Sequence, residues 1–364
     1  MKNICRKYSA ISLLLFISLL ADYTLYAQAD TKGLKDWYRN YFDVGVSVTP
    51  WSVKNDEAAL LLTEFNSLTA ENAMKMGPIH PRSNYYNWSP ADSIAAFARR
   101  NGLKMRGHAL VWHQQTPAWL FTDEKGDTVS REILLARMKE HIQTVVTRYK
   151  DVVYAWDVVN EAISDSRAEF YRSSPFYRII GEEFIEKAFE WAHAADTSAL
   201  LFYNDYNEID SVKRGKIIQL ISRLTQKGIP VHGIGLQAHW AINEPTAEQL
   251  EKTLADFSAT GLALHITELD VSVYPKEHQA RNKKPADADT AFTPEKEQKQ
   301  LALYKMIFEK FRKYQASIHS VTFWNISDRH SWLDNFPVTG RKDYPLLFDK
   351  DLKRKKAYYM VSKW

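Results

Sequence analysis

The feature that most narrows what this chain can fold into is a regular alternation. Short, nearly continuous apolar runs trade places with longer segments of helical period. Runs at 42–48, 65–70, 104–111, 154–160, 199–205, 233–239, 263–271 and 320–328 predict eight strands. Segments at 57–64, 90–101, 130–149, 175–195, 211–227, 246–260, 294–316 and 353–362 predict helices between and after them. Pro90, Pro175 and Pro294 each follow a Ser or Thr; this suits a first helical turn, where the missing amide donor costs nothing. In 294–316, Leu301, Tyr304, Ile307, Phe308 and Phe311 recur at helical spacing. Strands that are apolar on both faces belong in a parallel sheet covered by helices. Eight such units favour an α/β fold closed on itself, a (β/α)8 TIM barrel, over an open sheet. No internal repeat and no Pro/Gly/Ser-rich linker divides the chain, so a single domain over 30–364 is expected.

The first 29 residues read as a signal peptide. Lys2, Arg6 and Lys7 precede an apolar stretch, Ile11 to Ala21, broken only by serines and too short to span a bilayer comfortably. Ala27-Gln28-Ala29 supplies small residues for cleavage after Ala29, with a cut after Ala27 as the alternative; an uncleaved anchor stays open. Export to the periplasm or beyond is the expectation. The only cysteine, Cys5, lies ahead of the apolar stretch, which argues against a lipoprotein. Beyond residue 29 there is no cysteine, which excludes disulfides, thiolate catalysis and Cys-ligated metal there. No His-x-x-x-His pair suggests a zinc hydrolase, and no metal or organic cofactor is expected. The charge balance, 48 Lys+Arg against 44 Asp+Glu, is too even to imply a nucleic-acid partner. No second long apolar run implies a membrane bundle.

A barrel places functional groups at the C-terminal ends of its strands. Strand four, Tyr154-Ala155-Trp156-Asp157-Val158-Val159-Asn160-Glu161, ends in a glutamate. Strand seven, Leu264-His265-Ile266-Thr267-Glu268-Leu269-Asp270-Val271, brings another. Two facing carboxyls are what glycoside hydrolysis requires: one protonates the leaving oxygen, the other attacks or activates water, and the retaining form needs them roughly 5–5.5 Å apart. A surface ion pair explains either glutamate taken singly. Their neighbours shift the balance. Glu268 and Asp270 share a strand face, as do Gln237 and His239, and polar pairs on apolar strands are costly to bury unless they bond together. Adjacent Asn160 and Glu161 can both face a pocket only if the strand end is bulged. The polar segment 275–293 is expected to be a solvated loop on the same face. Trp156 and Trp191 are expected in the core, and His141 and His265 in structural rather than catalytic places.

With these residues in view, the chain closely resembles the family 10 glycoside hydrolases, the retaining endo-β-1,4-xylanases, over roughly 35–364. Gly261 to Val271 is similar to the family's nucleophile strand. Leu68-Thr69-Ala70-Glu71-Asn72-Ala73-Met74-Lys75 and Arg106-Gly107-His108-Ala109-Leu110-Val111-Trp112-His113-Gln114-Gln115 resemble its substrate-binding motifs. Trp156 to Glu161, Asn204-Asp205-Tyr206, Trp324 and Trp332 follow in the family's order. The resemblance implies Glu268 as nucleophile and Glu161 as general acid/base, with His239, Asp270, Asn160 and Gln237 in support. It implies Glu71, Asn72, Lys75, His108 and Gln115 as polar sugar contacts, Tyr206 as a further substrate-binding residue, Trp112, Trp324 and Trp332 as ring platforms, and a cis His108–Ala109 peptide. The implied partners are xylan and xylo-oligosaccharides, bound by a monomer. Two departures stand out: Asn325 where the family usually has Gly, and Met76 where an aromatic is common. Two rivals remain at this level: a cellulase or mannanase on the same carboxylate plan, and a non-catalytic carbohydrate-binding barrel. A bulky wall such as Trp332 favours xylose, which lacks a hydroxymethyl group.

Overall fold

The computed structural model describes residues 32–276, 286 and 288–363. The expected signal peptide, 1–29, lies outside these residues, as does much of the polar segment 275–293. Among the described residues, nine strands form the sheet: β1 (Asp43–Val48), β2 (Ser67–Ala70), β3 (Lys104–Trp112), β4 (Val153–Asn160), β5 (Leu200–Asp205), β6 (Gly233–Leu236), β7 (His239–Ala241), β8 (Ala263–Ser272) and β9 (Ile318–Phe323). All pairings are parallel. β1 lies between β2 and β9, and β6 pairs with β8, closing an eight-stranded barrel with β7 as a short outgrowth beside β8. The strands are buried on both faces almost throughout, as their sequences require. Helices such as Arg131–Tyr149 and Pro294–Lys313 pack outside, turning Leu134, Met138, Ile142, Val145, Leu301, Tyr304 and Ile307 toward the sheet.

The expected alternation is present, and three elements depart from it. The single helix expected over 175–195 is two, Pro175–Ile180 and Glu183–Ala195. They are parted at Gly181, whose φ of 85° is open to a residue without a Cβ. The sixth expected strand breaks between β6 and β7 at Ala238, with φ 60°. The eighth begins earlier and ends at Phe323, because the backbone turns at Asn325, φ 91°. The His108–Ala109 peptide is cis.

The barrel interior contains a buried charged cluster. Arg106 on β3 grips Asp157 on β4 in a two-pronged pair, Nη2–Oδ1 2.6 Å and Nη1–Oδ2 2.8 Å, and both side chains are fully buried. His108 Nδ1 lies 2.9 Å from Asp157 Oδ2, and Arg106 Nε donates to His265 Nδ1 at 3.0 Å. His265 is therefore structural; burial first, and then the Arg106 charge, hold its pKa well below the usual histidine value. His141 is structural too: it is buried against His80, Nδ1 to Nδ1 3.2 Å, and burial depresses its pKa to about 3. Trp156 is fully buried over Gly107, where a Cβ would sit 2.1 Å from the indole. Replacing Asp157 by alanine would leave Arg106 charged and unpaired in the interior. The expected loss is about 3–5 kcal/mol, measurable as a lower urea midpoint with an unchanged slope.

Candidate active site

Glu161 follows the last residue of β4 and Glu268 lies on β8, across the barrel mouth. Both are buried, at 7% and 5% exposure, where an unpaired carboxylate would be costly. Side-chain amides join them. Thr267 Oγ1 donates to Asn204 Oδ1 at 2.7 Å, which fixes the orientation of that amide. Asn204 Nδ2 then donates to Glu268 Oε1 and to Asn160 Oδ1, both at 2.9 Å. Asn160 Nδ2 in turn reaches Glu161 Oε1 at 3.2 Å, and Gln237 Nε2 donates to the same oxygen at 3.0 Å. Asn160 and Glu161 do face one pocket together. The backbone allows it through a register shift between Asp157 and Val159 and a φ of 59° at Glu161. Gln237 and His239 both reach the site, but not as neighbours on one strand face: the break at Ala238 sends Gln237 to Glu161 and His239 to Glu268.

The two carboxyls have opposite electrostatic surroundings. Burial raises the pKa of Glu161; Gln237 opposes this, while the negative charges of Asp205 and Glu268 add to it. His113 Nδ1 lies 4.0 Å from Glu161 Oε2, and burial together with the Arg172 charge depresses this histidine to about 4, so it is neutral beside that carboxyl. Burial also works to raise Glu268, but the His239 bond and nearby positive charge, Lys75 included, overcome it and bring the pKa to about 2. His239 is the centre of that effect. Burial would lower its pKa, yet Asp270 at 2.9 Å on Nδ1 and Glu268 at 3.1 Å on Nε2 raise it to about 10. Both ring nitrogens therefore carry protons and donate at neutral pH.

The remaining expected residues line the rest of the cleft. Lys75 Nζ donates to Asn72 Oδ1 at 3.0 Å and sits 4.8 Å from the Trp112 ring centre and 5.7 Å from that of Trp324. Burial lowers its pKa, against the pull of Glu268, Glu71 and Glu161. Trp332 lies against His239, ring centres 4.7 Å apart, and its Nε1 donates to Asp270 Oδ2 at 2.7 Å. His108 meets Trp324 edge-on while its Nδ1 is committed to Asp157. Two residues stand apart from this arrangement. Gln115 is exposed and bonded through its backbone carbonyl, which accepts from Gly77 N at 2.6 Å. The Tyr206 hydroxyl is engaged by Asp165 and Arg172, and Lys213 Nζ lies 4.7 Å from its ring centre.

Two residues without an assigned role from sequence prove central. Asn204 bridges the carboxylates, and Gly235 on β6 makes room for it: a Cβ there would lie 2.2 Å from Asn204 Oδ1. The polar strand end Asn204-Asp205-Tyr206 was the available signal. Asn325 was visible only as a departure from the family. Its left-handed backbone is one that asparagine tolerates better than most residues with a Cβ. Its N–H donates to Ser47 Oγ at 2.7 Å, its Nδ2 to Glu71 Oε2 at 3.1 Å, and its Oδ1 accepts from Trp332 N at 3.2 Å. It thereby ties a polar sugar-contact candidate to the aromatic wall. The other departure, Met76, is buried at the start of a short helix, Met76–Ile79.

The model of glycosyl hydrolase family 10 matches residues 33–364. A β-1,4-xylanase of Dictyoglomus thermophilum is 45% identical over 97% of this chain and 98% of its own length. An endo-1,4-β-xylanase of Geobacillus stearothermophilus is 45% identical over 90% of this chain and 97% of its own. The crystal structure of xylanase XynB from Paenibacillus barcinonensis, complexed with a conduramine derivative, superposes with a TM-score of 0.87 at 45% identity, covering 92% of this chain and 99% of that one. The paired strand-end glutamates, the closed barrel and these matches agree, and the chain belongs to glycosyl hydrolase family 10.

Proposed function

We propose that this protein is a retaining endo-1,4-β-xylanase working by double displacement, with Glu268 as nucleophile and Glu161 as acid/base. The observation behind this is the pair of buried carboxyls, linked through Asn204 and Asn160, with the pKa of Glu161 raised and that of Glu268 lowered. Glu268, ionised by its contact with His239, attacks the anomeric carbon as the bond to the leaving oxygen breaks. Glu161 gives its proton to that oxygen, and a glycosyl ester on Glu268 results. Forming the ester removes the negative charge of Glu268, one of the influences that raise the pKa of Glu161. Its pKa falls, and the ionised carboxylate then takes a proton from the water that attacks the same carbon. Two inversions return the β configuration. Asn160 gives one amide hydrogen to Glu161 and has a second for a sugar hydroxyl beside the reacting carbon.

Lys75, Glu71, Asn72 and His108 supply polar contacts, and Trp112, Trp324 and Trp332 supply flat faces for pyranose rings. Trp332, anchored on Asp270 and stacked with Phe336, is a rigid wall that disfavours the hydroxymethyl group of glucose. The relatives' names, xylanases at about 45% identity across nearly the whole chain, support the substrate class. The test is hydrolysis of xylan and of carboxymethylcellulose side by side, with proton NMR of the first-formed reducing end. Xylan turnover well above that of the cellulose derivative and an initial β-anomer are expected. Preference for carboxymethylcellulose would overturn the substrate, and an initial α-anomer the mechanism.

A further inference from the structure

The segment 161–172, which leaves β4, turns its carbonyl oxygens toward three cations. Lys213 Nζ donates to Ile163 O at 2.8 Å, and Lys216 Nζ to Ser166 O at 2.5 Å and Glu169 O at 2.6 Å. The third cation acts on Glu161 itself: Arg172 Nε donates to the Glu161 carbonyl oxygen at 2.9 Å. On the other side of the same residue, Glu161 N donates to Asn204 O at 2.9 Å. Both peptide groups flanking the Glu161 Cα are thus fixed, and between them φ is 59°. A residue with a Cβ holds that conformation only when its surroundings impose it. Arg172 is itself clamped: its Nη2 donates to Asp165 Oδ2 at 3.0 Å and to the Tyr206 hydroxyl at 2.8 Å, and its own N–H donates to Ala162 O at 2.7 Å. Asp165 is fixed in turn by Lys213, 3.0 Å away, and by Tyr206.

We propose that Arg172 is the positioning residue of the acid/base: its Nε–H on the Glu161 carbonyl holds the left-handed turn that aims the carboxyl at the leaving oxygen. Its side chain serves three acceptors, one on Nε and two on Nη2, which suits the planar guanidinium fork. The single nitrogen of a lysine keeps the charge and loses the geometry. The role rests on the reading of Glu161 as acid/base, and the experiment separates the two.

The experiment compares the wild-type protein with Arg172→Lys and Glu161→Ala on xylan and on aryl β-xylobiosides whose leaving phenols run from 2,4-dinitrophenol, which departs unprotonated, to phenol, which needs the acid. A misplaced acid is expected to lower Arg172→Lys kcat/KM on phenyl xylobioside and xylan by roughly 10–100-fold, with the dinitrophenyl substrate within about 3-fold of wild type. Equal losses on every substrate, or none on any, would overturn the proposal, since a merely structural role does not sort substrates by leaving group. If Arg172→Lys fails to fold, Asp165→Asn, which loosens the clamp on Arg172, must show the same ordering with a smaller loss, and uniform losses there overturn the proposal equally. Glu161→Ala tells the two readings apart. If it sorts the substrates and the clamp variants do not, only the role of Arg172 falls; if it does not sort them either, the assignment of Glu161 falls.

Discussion

Glu268→Ala is expected to cut xylan turnover by ~10⁴-fold or more while oligosaccharide binding persists. In the proposed mechanism the carboxylate forms the bond that replaces the one to the leaving oxygen. Its partners are committed donors: His239 is protonated on both nitrogens and held by Asp270, and Asn204 presents its amide hydrogens to Glu268 and Asn160. The loss should fall on kcat. Lys75, Glu71, Asn72 and the tryptophans do not depend on Glu268 for their packing, so calorimetric titration with xylo-oligosaccharides should give binding close to that of an intact site. Turnover equal to wild type would refute the nucleophile assignment. Turnover lost together with binding would mean that the cleft had collapsed.

The second large effect is expected at Glu161. Alanine there should lower kcat/KM on xylan by roughly 10²–10⁴-fold, the usual contribution of a positioned proton donor. It should also remove one limb of the pH profile. In the proposed mechanism, the free enzyme is active with Glu268 ionised and Glu161 protonated. Activity is therefore lost as pH falls through the Glu268 value of about 2, and lost again as pH rises through the value of Glu161, which burial holds above the ordinary carboxylate range. Without Glu161 the alkaline limb has no titrating group behind it. A kcat/KM profile on phenyl xylobioside, whose leaving group needs the acid, that is low but flat through neutral pH for Glu161→Ala is the expected result. An alkaline limb that persists unchanged in that variant would show that another group supplies the proton.

Much of this molecule was written in local pattern. The eight apolar strands and their helices follow from periodicity, because a strand buried on both faces has no choice but to be apolar throughout. The two glutamates and their supporting residues were legible as polar groups at strand ends, where an apolar sequence has no other reason to carry them. Element ends were less legible. The break at Gly181, the interruption at Ala238 and the early end of β9 depend on backbone torsions that composition signals weakly.

What only the tertiary structure decided is how residues distant in the chain act on one another. The opposite pKa shifts of Glu161 and Glu268 arise from burial, the His239–Asp270 pair and mutual repulsion, none of which has a sequence spacing. Asn204 joins the carboxylates because β5 lies between β4 and β6 and because Gly235 leaves it space. Asn325 reads as a mere departure from a glycine until its three hydrogen bonds are seen. Local pattern is enforced by each segment's own burial, so a chain displays it openly. Charge, hydrogen-bond direction and free space depend on which segments become neighbours, and closure of the barrel alone determines that.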